Sequence, residues 1–120
     1  MQYLKTYLKK ITDRGNTKLA ESIEKTANDV GNKHIKTFSF SSHEIGLLLG
    51  NVQSGKTGQM FGIICKAADL GFPVFVLLNT DNVVLQQQTL DRVKTDLEGF
   101  CICGENDAAL FAENSLMDPA

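Results

Sequence analysis

Ile45-Gly46-Leu47-Leu48-Leu49-Gly50-Asn51-Val52-Gln53-Ser54-Gly55-Lys56-Thr57 passes from apolar to glycine-punctuated polar sequence within thirteen residues. The run 45–49 is short, continuous and apolar, which is the pattern of a parallel strand buried on both faces. After Thr57, the residues Met60, Phe61, Ile63, Ile64, Ala67, Ala68 and Leu70 recur at helical spacing. Gly71 stands where a C′ glycine ends a helix. The expected order is strand, loop, helix.

The same order repeats downstream. Pro73-Val74-Phe75-Val76-Leu77-Leu78 is a second apolar run, opened by a proline that a strand start tolerates. Asn79-Thr80-Asp81-Asn82 supplies N-cap chemistry. Val83, Leu90, Val93 and Leu97 then mark another helix, ended at Gly99, and Phe100-Cys101-Ile102-Cys103 is a candidate third strand. A βαβαβ series with short connections predicts an α/β fold, a parallel sheet with helices on its faces. Upstream, Leu4, Leu8 and Ile11 form one helical face, and Leu19, Ile23, Ala27 and Val30 a second. Asp13-Arg14-Gly15-Asn16 is the turn between them and Gly31-Asn32 the stop. The expected organisation is therefore an N-terminal helical hairpin over 1–34 and a partial nucleotide-binding core over 35–120. Residues 35–40 alternate in polarity and read either as a short strand or as an extended lead-in carrying Phe38 and Phe40 into the core.

Gly50-x-x-x-x-Gly55-Lys56-Thr57 fits the Walker A pattern, the P-loop, in full. Glycine permits the tight turn that brings main-chain N–H groups against phosphate oxygens. A helix starting near Lys56 aims its unpaired N–H groups and positive dipole end at the same anion. In this reading Lys56 holds the β- and γ-phosphates, and the Thr57 hydroxyl ligates the Mg²⁺ that bridges them. Asn51, Val52, Gln53 and Ser54 form the loop wall through their amides. The expected ligand is a nucleoside triphosphate, ATP with magnesium. No Asn-Lys-x-Asp guanine-reading motif occurs in the sequence.

Composition sets the outer bounds. The chain has 120 residues, 42% hydrophobic and 22% charged, with formal net charge −2, values ordinary for one folded domain. Charge is uneven: residues 1–36 hold eight Lys/Arg against four Asp/Glu, and residues 37–120 hold four against ten. A solvated helical surface accounts for the basic arm, because acids are interspersed with its lysines and there is no arginine cluster. No apolar run reaches the ~18 residues of a membrane span and no secretory leader is evident, so a cytoplasmic location is the default. Three cysteines without such a leader suggest reduced thiols, with Cys65 in the core. His34 and His43 read as surface residues, and mid-helix Gly62 as a point of close packing against the sheet.

An acid following a buried strand, needed to hold magnesium or polarise water, has no clear counterpart after Lys56. Phe100-Cys101-Ile102-Cys103-Gly104-Glu105 comes nearest, and Arg92 is the sole arginine beyond the motif. The chain reads as the N-terminal part of a longer protein and as catalytically incomplete alone. Gly46–Thr57, continued by Gly62-Ile63-Ile64-Cys65-Lys66-Ala67-Ala68-Asp69-Leu70-Gly71, resembles superfamily-two DEAD/DEAH helicase-like ATPases. Among these it is most similar to prokaryotic putative endonucleases carrying a Z-one domain. The resemblance covers roughly residues 45–98. It implies a RecA-like P-loop fold, ATP bound by Gly50, Gly55, Lys56 and Thr57, and DNA or RNA approaching the segment after the second strand. In this chain that segment holds Thr80 and Leu85-x-x-Gln88 but lacks Pro-Thr-Arg-Glu; a capped surface helix with solvated glutamines is the equal alternative. Two functions follow as expectations: the nucleotide-binding part of a nucleic-acid-dependent ATPase, or a non-catalytic nucleotide-binding or regulatory module. A small-molecule kinase ranks last, for want of lid arginines.

Overall fold

Periodicity in the first thirty residues becomes two amphipathic helices, α1 (Tyr3–Asp13) and α2 (Thr17–Val30). The computed structural model describes residues 2–49, 56–78 and 83–102, with side chains in the last stretch described from Gln87 onward. The buried stripe of α1 is Leu4, Tyr7 and Ile11, and that of α2 is Ala20, Ile23 and Ala27. Tyr7 and Ala20 thus take core places that apolarity alone assigns to Leu8 and Leu19, which are only half-buried. Gly15, at φ +86°, makes the turn between the helices in the left-handed region that glycine enters without a Cβ penalty.

Gly31-Asn32 does not stop α2. The backbone continues through a π-helical turn, Gly31–Ile35, because Gly31 keeps a right-handed helical conformation, φ −61° and ψ −47°. Lys36 N–H then donates to the Gly31 carbonyl at 2.7 Å. The lead-in at 35–40 therefore starts helical, and no strand forms in it.

Two further helices follow, α3 (Lys56–Asp69) and α4 (Val83–Asp96). Helix α3 packs on both α1 and α2. Phe61 and Cys65 from α3 meet Tyr7, Ile23 and Ala27 in the centre of the core, all 2% exposed or less. Gly62 makes the approach of α3 to α2 possible: a Cβ built there would lie 2.4 Å from Ile23 Cγ2. Its neighbour is thus a helix, and the expected packing against a sheet is corrected. Val93 of α4 and Leu97 just beyond its end join the same core, and Phe100 adds a ring whose centroid is 4.5 Å from that of Tyr3. Gly71 and Gly99, at φ +98° and +88°, follow the ends of α3 and α4.

The expected α/β fold, a RecA-like P-loop parallel sheet, is overturned. Among the described residues there is no β-strand, and the architecture is helical. Residues 43–49, 72–78 and 100–102 carry no regular secondary structure; Cys103, the end of the third expected strand, lies outside the described residues. Ile45, Leu47 and Leu49 are 80–84% exposed while Leu48 falls to 37%, and Leu77 falls to 36% between Val76 at 76% and Leu78 at 92%. That alternation belongs to an extended chain, but a strand also needs a hydrogen-bonded neighbour. A continuous apolar run implies cover on two faces, and here one side of each run faces water.

Candidate functional site

Of the eight residues of the Walker A pattern, Lys56 and Thr57 fall within the described residues, and Gly50, Asn51, Val52, Gln53, Ser54 and Gly55 lie outside them. Lys56 and Thr57 are the first two residues of α3. Lys56 is exposed and Thr57 half-buried. Among the described residues Lys56 forms no salt bridge. An ammonium and a hydroxyl therefore stand at a helix N-terminus, where backbone N–H groups and the helix dipole favour anions.

The base of this helix end is held from behind. Tyr7 Oη donates to the Gly58 carbonyl at 3.3 Å, and Gln59 Nε2 donates to Ser22 Oγ at 2.9 Å. These bonds fix the first turn of α3 against α1 and α2. Gln59 Oε1 is buried without a partner among the described residues. Burial, assisted by the nearby Asp96 charge, pushes the Tyr7 phenol up to about 12, so Tyr7 stays a neutral donor. Burial likewise pushes the Cys65 thiol up to about 12, with Asp69 adding to it, and this favours the thiol over the thiolate.

The opposite end of α3 has a different function. Asp69 accepts from Tyr3 N–H at 2.7 Å and from Leu4 N–H at 3.2 Å. These are the first two amides of α1, whose own N-cap residue, Gln2, makes no side-chain cap. An acid is disfavoured at the C-terminal end of its own helix, yet here it serves the positive end of another. Asp69, part of the sequence resemblance, is thus a capping residue between α3 and α1.

Three other residues singled out in the sequence have structural surroundings. Arg92 lies with its guanidinium 5.7 Å from the Phe61 ring centroid and 3.9 Å from Asp96. Asp96, 3% exposed, also accepts from Arg14 Nη2 at 2.6 Å, and this hydrogen bond raises the Arg14 guanidinium further. Arg92, about half exposed, thus stands between the Phe61 ring of α3 and Asp96 of its own helix. Glu44 Oε1 sits 2.8 Å from His34 Nδ1 on the surface. His43 is exposed, as expected.

Thr80 lies outside the described residues, and Gln88 is exposed on α4. A shallow cavity of about 210 Å³ is lined by Ile35, Lys36, Phe38, Phe40, Leu70, Gly71 and Phe72. It sits beyond the C-terminal end of α3, about 20 Å along the helix from Lys56 and Thr57. Among the described residues there is no cluster of three His, Cys, Asp or Glu suited to a metal. Magnesium at a triphosphate takes one or two protein oxygens and completes its shell with phosphate oxygens and water. A single Thr57 hydroxyl at the start of α3 fits that requirement.

Among the described residues, no helix is long and apolar enough to cross a membrane. In comparisons with known proteins, no family model, no curated protein and no solved structure matches this chain.

Proposed function

We propose that this chain binds the phosphates of a nucleoside triphosphate, ATP with magnesium, at Gly50–Thr57. The reading rests on one coincidence of sequence and position. The Lys-Thr pair that ends a full Walker A pattern occupies the first two positions of α3, a helix of 14 residues, directly after the glycine-rich segment. Main-chain amides of the loop and of the first turn supply the anion cradle. Lys56 supplies a charge for the β- and γ-phosphates. Thr57 supplies one oxygen for magnesium, which bridges and neutralises those phosphates. The proposal concerns this local device and does not require the parallel sheet that the sequence suggested.

The wider reading makes the chain the nucleotide-binding part of a helicase-like ATPase that acts with DNA or RNA and with further domains of a longer protein. That reading rests on the sequence resemblance. The alternative is a non-catalytic nucleotide-binding or regulatory module. Titration of labelled ATP with magnesium tests the site: Lys56→Ala removes a charge-assisted contact and should weaken affinity by about tenfold or more. Equal affinity of the two forms would remove Lys56 from the site and refute the proposal. Binding to single-stranded DNA at two salt concentrations separates the two readings, because phosphate contacts release counterions and weaken with salt. Salt-independent or undetectable binding favours the module.

A further inference from the structure

We infer that residues 103–120, the acidic segment that follows the described part of the chain, dock within the same molecule and seat Phe111 in the cavity beyond the C-terminal end of α3. The observations involve neither Lys56 nor Thr57, so the inference does not rest on the triphosphate proposal.

Three phenylalanines wall this cavity of about 210 Å³. Phe40 stacks on Phe72 with ring centroids 5.5 Å apart, and Phe38 stands edge-on to Phe40 at 5.2 Å and tilted to Phe72 at 6.1 Å. Phe40 is nonetheless 80% exposed. Aromatic rings pack at centroid distances of about 4.5–7 Å, and a cluster left this open accepts one more ring. Lys36 is the one charged residue of the lining, and no carboxylate is there. Lys33 lies three residues before it, and residues 31–43 contain no acid. The nearest acid in sequence, Glu44, is 2.8 Å from His34 Nδ1. Among the described residues neither lysine forms a salt bridge. The cavity is thus an apolar socket with an uncompensated positive rim.

Such a socket fits a large apolar side chain flanked by carboxylates. Residues 103–120 hold Glu105, Asp107, Glu113 and Asp118 without a Lys or Arg, and Leu110 and Phe111 stand between the middle two acids. The other segments outside the described residues do not match. Together 50–55 and 79–82 offer one apolar side chain, Val52, and Met1 precedes a stretch, 2–12, without acids.

The acidic segment also starts close enough. Phe100 lies 6.0 Å from Phe75, ring to ring, and Phe75 is three residues beyond Phe72. On a second route, Phe100 lies 4.5 Å from Tyr3, whose N–H donates to Asp69, the neighbour of Leu70 in the cavity wall. Both routes put Phe100 within roughly 20 Å of the cavity. The nine residues from Ile102 to Phe111 span up to about 30 Å. With Phe111 seated, Asp107 and Glu113 flank the rim that carries Lys33 and Lys36. A segment tethered this closely acts at an effective concentration in the millimolar range, well above that of a second copy in micromolar solution.

The sequence contains no tryptophan, so Phe111→Trp in the full chain supplies a single fluorescent reporter. The expected result is a blue-shifted native emission, with acrylamide quenching about fivefold or more weaker than in urea, and equally so from about 1 to about 100 µM protein. Phe40→Ser alters a ring already 80% exposed, so far-UV circular dichroism should stay unchanged while the reporter becomes open to quenching. Lys33→Glu together with Lys36→Glu should release it too, by reversing the charge of the rim. Lys56→Ala should leave the reporter shielded, which separates this inference from the triphosphate proposal. An indole as quenchable in the native chain as in urea would overturn the inference. So would shielding that survives both the Phe40 and the lysine variants, which places the ring elsewhere, or shielding that grows with protein concentration, which makes a second copy the occupant.

Discussion

Gly62→Ala is the sharpest probe of the helix packing, because two effects of opposite sign meet at one atom. An alanine in mid-helix gains about 1 kcal/mol over glycine from propensity and unfolded-chain entropy. The new Cβ, however, would stand 2.4 Å from Ile23 Cγ2, where carbon atoms in contact prefer about 3.5–4.0 Å. Ile23 is fully buried, and its branched Cβ holds one χ1 rotamer in a helix, so the methyl group cannot swing aside. Overpacking of this kind costs about 1–3 kcal/mol, and an overlap of more than an ångström belongs at the upper end. The expected net loss is about 1–2 kcal/mol, a fall in Tm of roughly 4–8 °C per kcal/mol for a domain near this size. Thermal and urea melts followed at 222 nm measure it. The double-mutant cycle sharpens the test. Ile23→Ala alone costs about 2–5 kcal/mol, but in that background Gly62→Ala should become stabilising, because Cγ2 is gone. Ile23→Val keeps a γ-methyl group and should preserve the penalty. A rise in Tm for Gly62→Ala in the wild-type background would refute the close approach of α3 to α2.

The remaining predictions concern single contacts. Asp69→Ala should destabilise by about 1–2 kcal/mol, the loss of a helix cap, with amide exchange at Tyr3 and Leu4 accelerating more than exchange at Ile23. Arg14→Ala removes the close partner of a carboxylate that is 3% exposed and should cost about 1–3 kcal/mol by chemical denaturation; the half-exposed arginine keeps this below the cost of a fully buried pair. Alkali should unfold the chain. The raised values of Tyr7 and Cys65, about 12 against 10.0 and 9.0, mean that the unfolded chain ionises first. Their stabilising effect is complete below about pH 9 and is lost between there and about pH 12. Tyr7→Phe and Cys65→Ala should each shift the transition to higher pH, and a flat stability profile from pH 8 to 11 would contradict the burial of both groups. In a chain carrying Cys101→Ser and Cys103→Ser, Cys65 should resist thiol reagents until unfolding, since it is 1% exposed and held as the thiol; fast labelling of the native protein would contradict this.

The candidate site is a local pattern of eight consecutive residues, of which the described residues include two, Lys56 and Thr57, at the start of α3. Periodicity from Met60 onward located the helix, and the Walker A pattern placed its start. What stands behind the site was not legible. Tyr7 and Gly58 are 51 residues apart, and Ser22 and Gln59 are 37 apart, and no spacing rule joins such pairs. Asp69 carried one weak signal, an acid in the last turn of a helix where the dipole disfavours it. Asp96 carried the same signal in α4, and its partner, Arg14, is 82 residues distant.

Sequence by itself determined the helices α1 to α4, the left-handed glycines that follow α1, α3 and α4, and the buried place of Cys65. A 3.6-residue period and a residue without Cβ are properties of neighbouring positions. Only the tertiary structure decided that the apolar runs at 45–49 and 74–78 have no strand partners among the described residues, that Tyr7 and Ala20 are core, that Gly62 admits Ile23, and that Asp69 caps α1. Each of these depends on what comes into contact across long stretches of chain. Strand pairing is the extreme case, because the hydrogen bonds that make a strand belong to two segments and a continuous apolar run names only one of them.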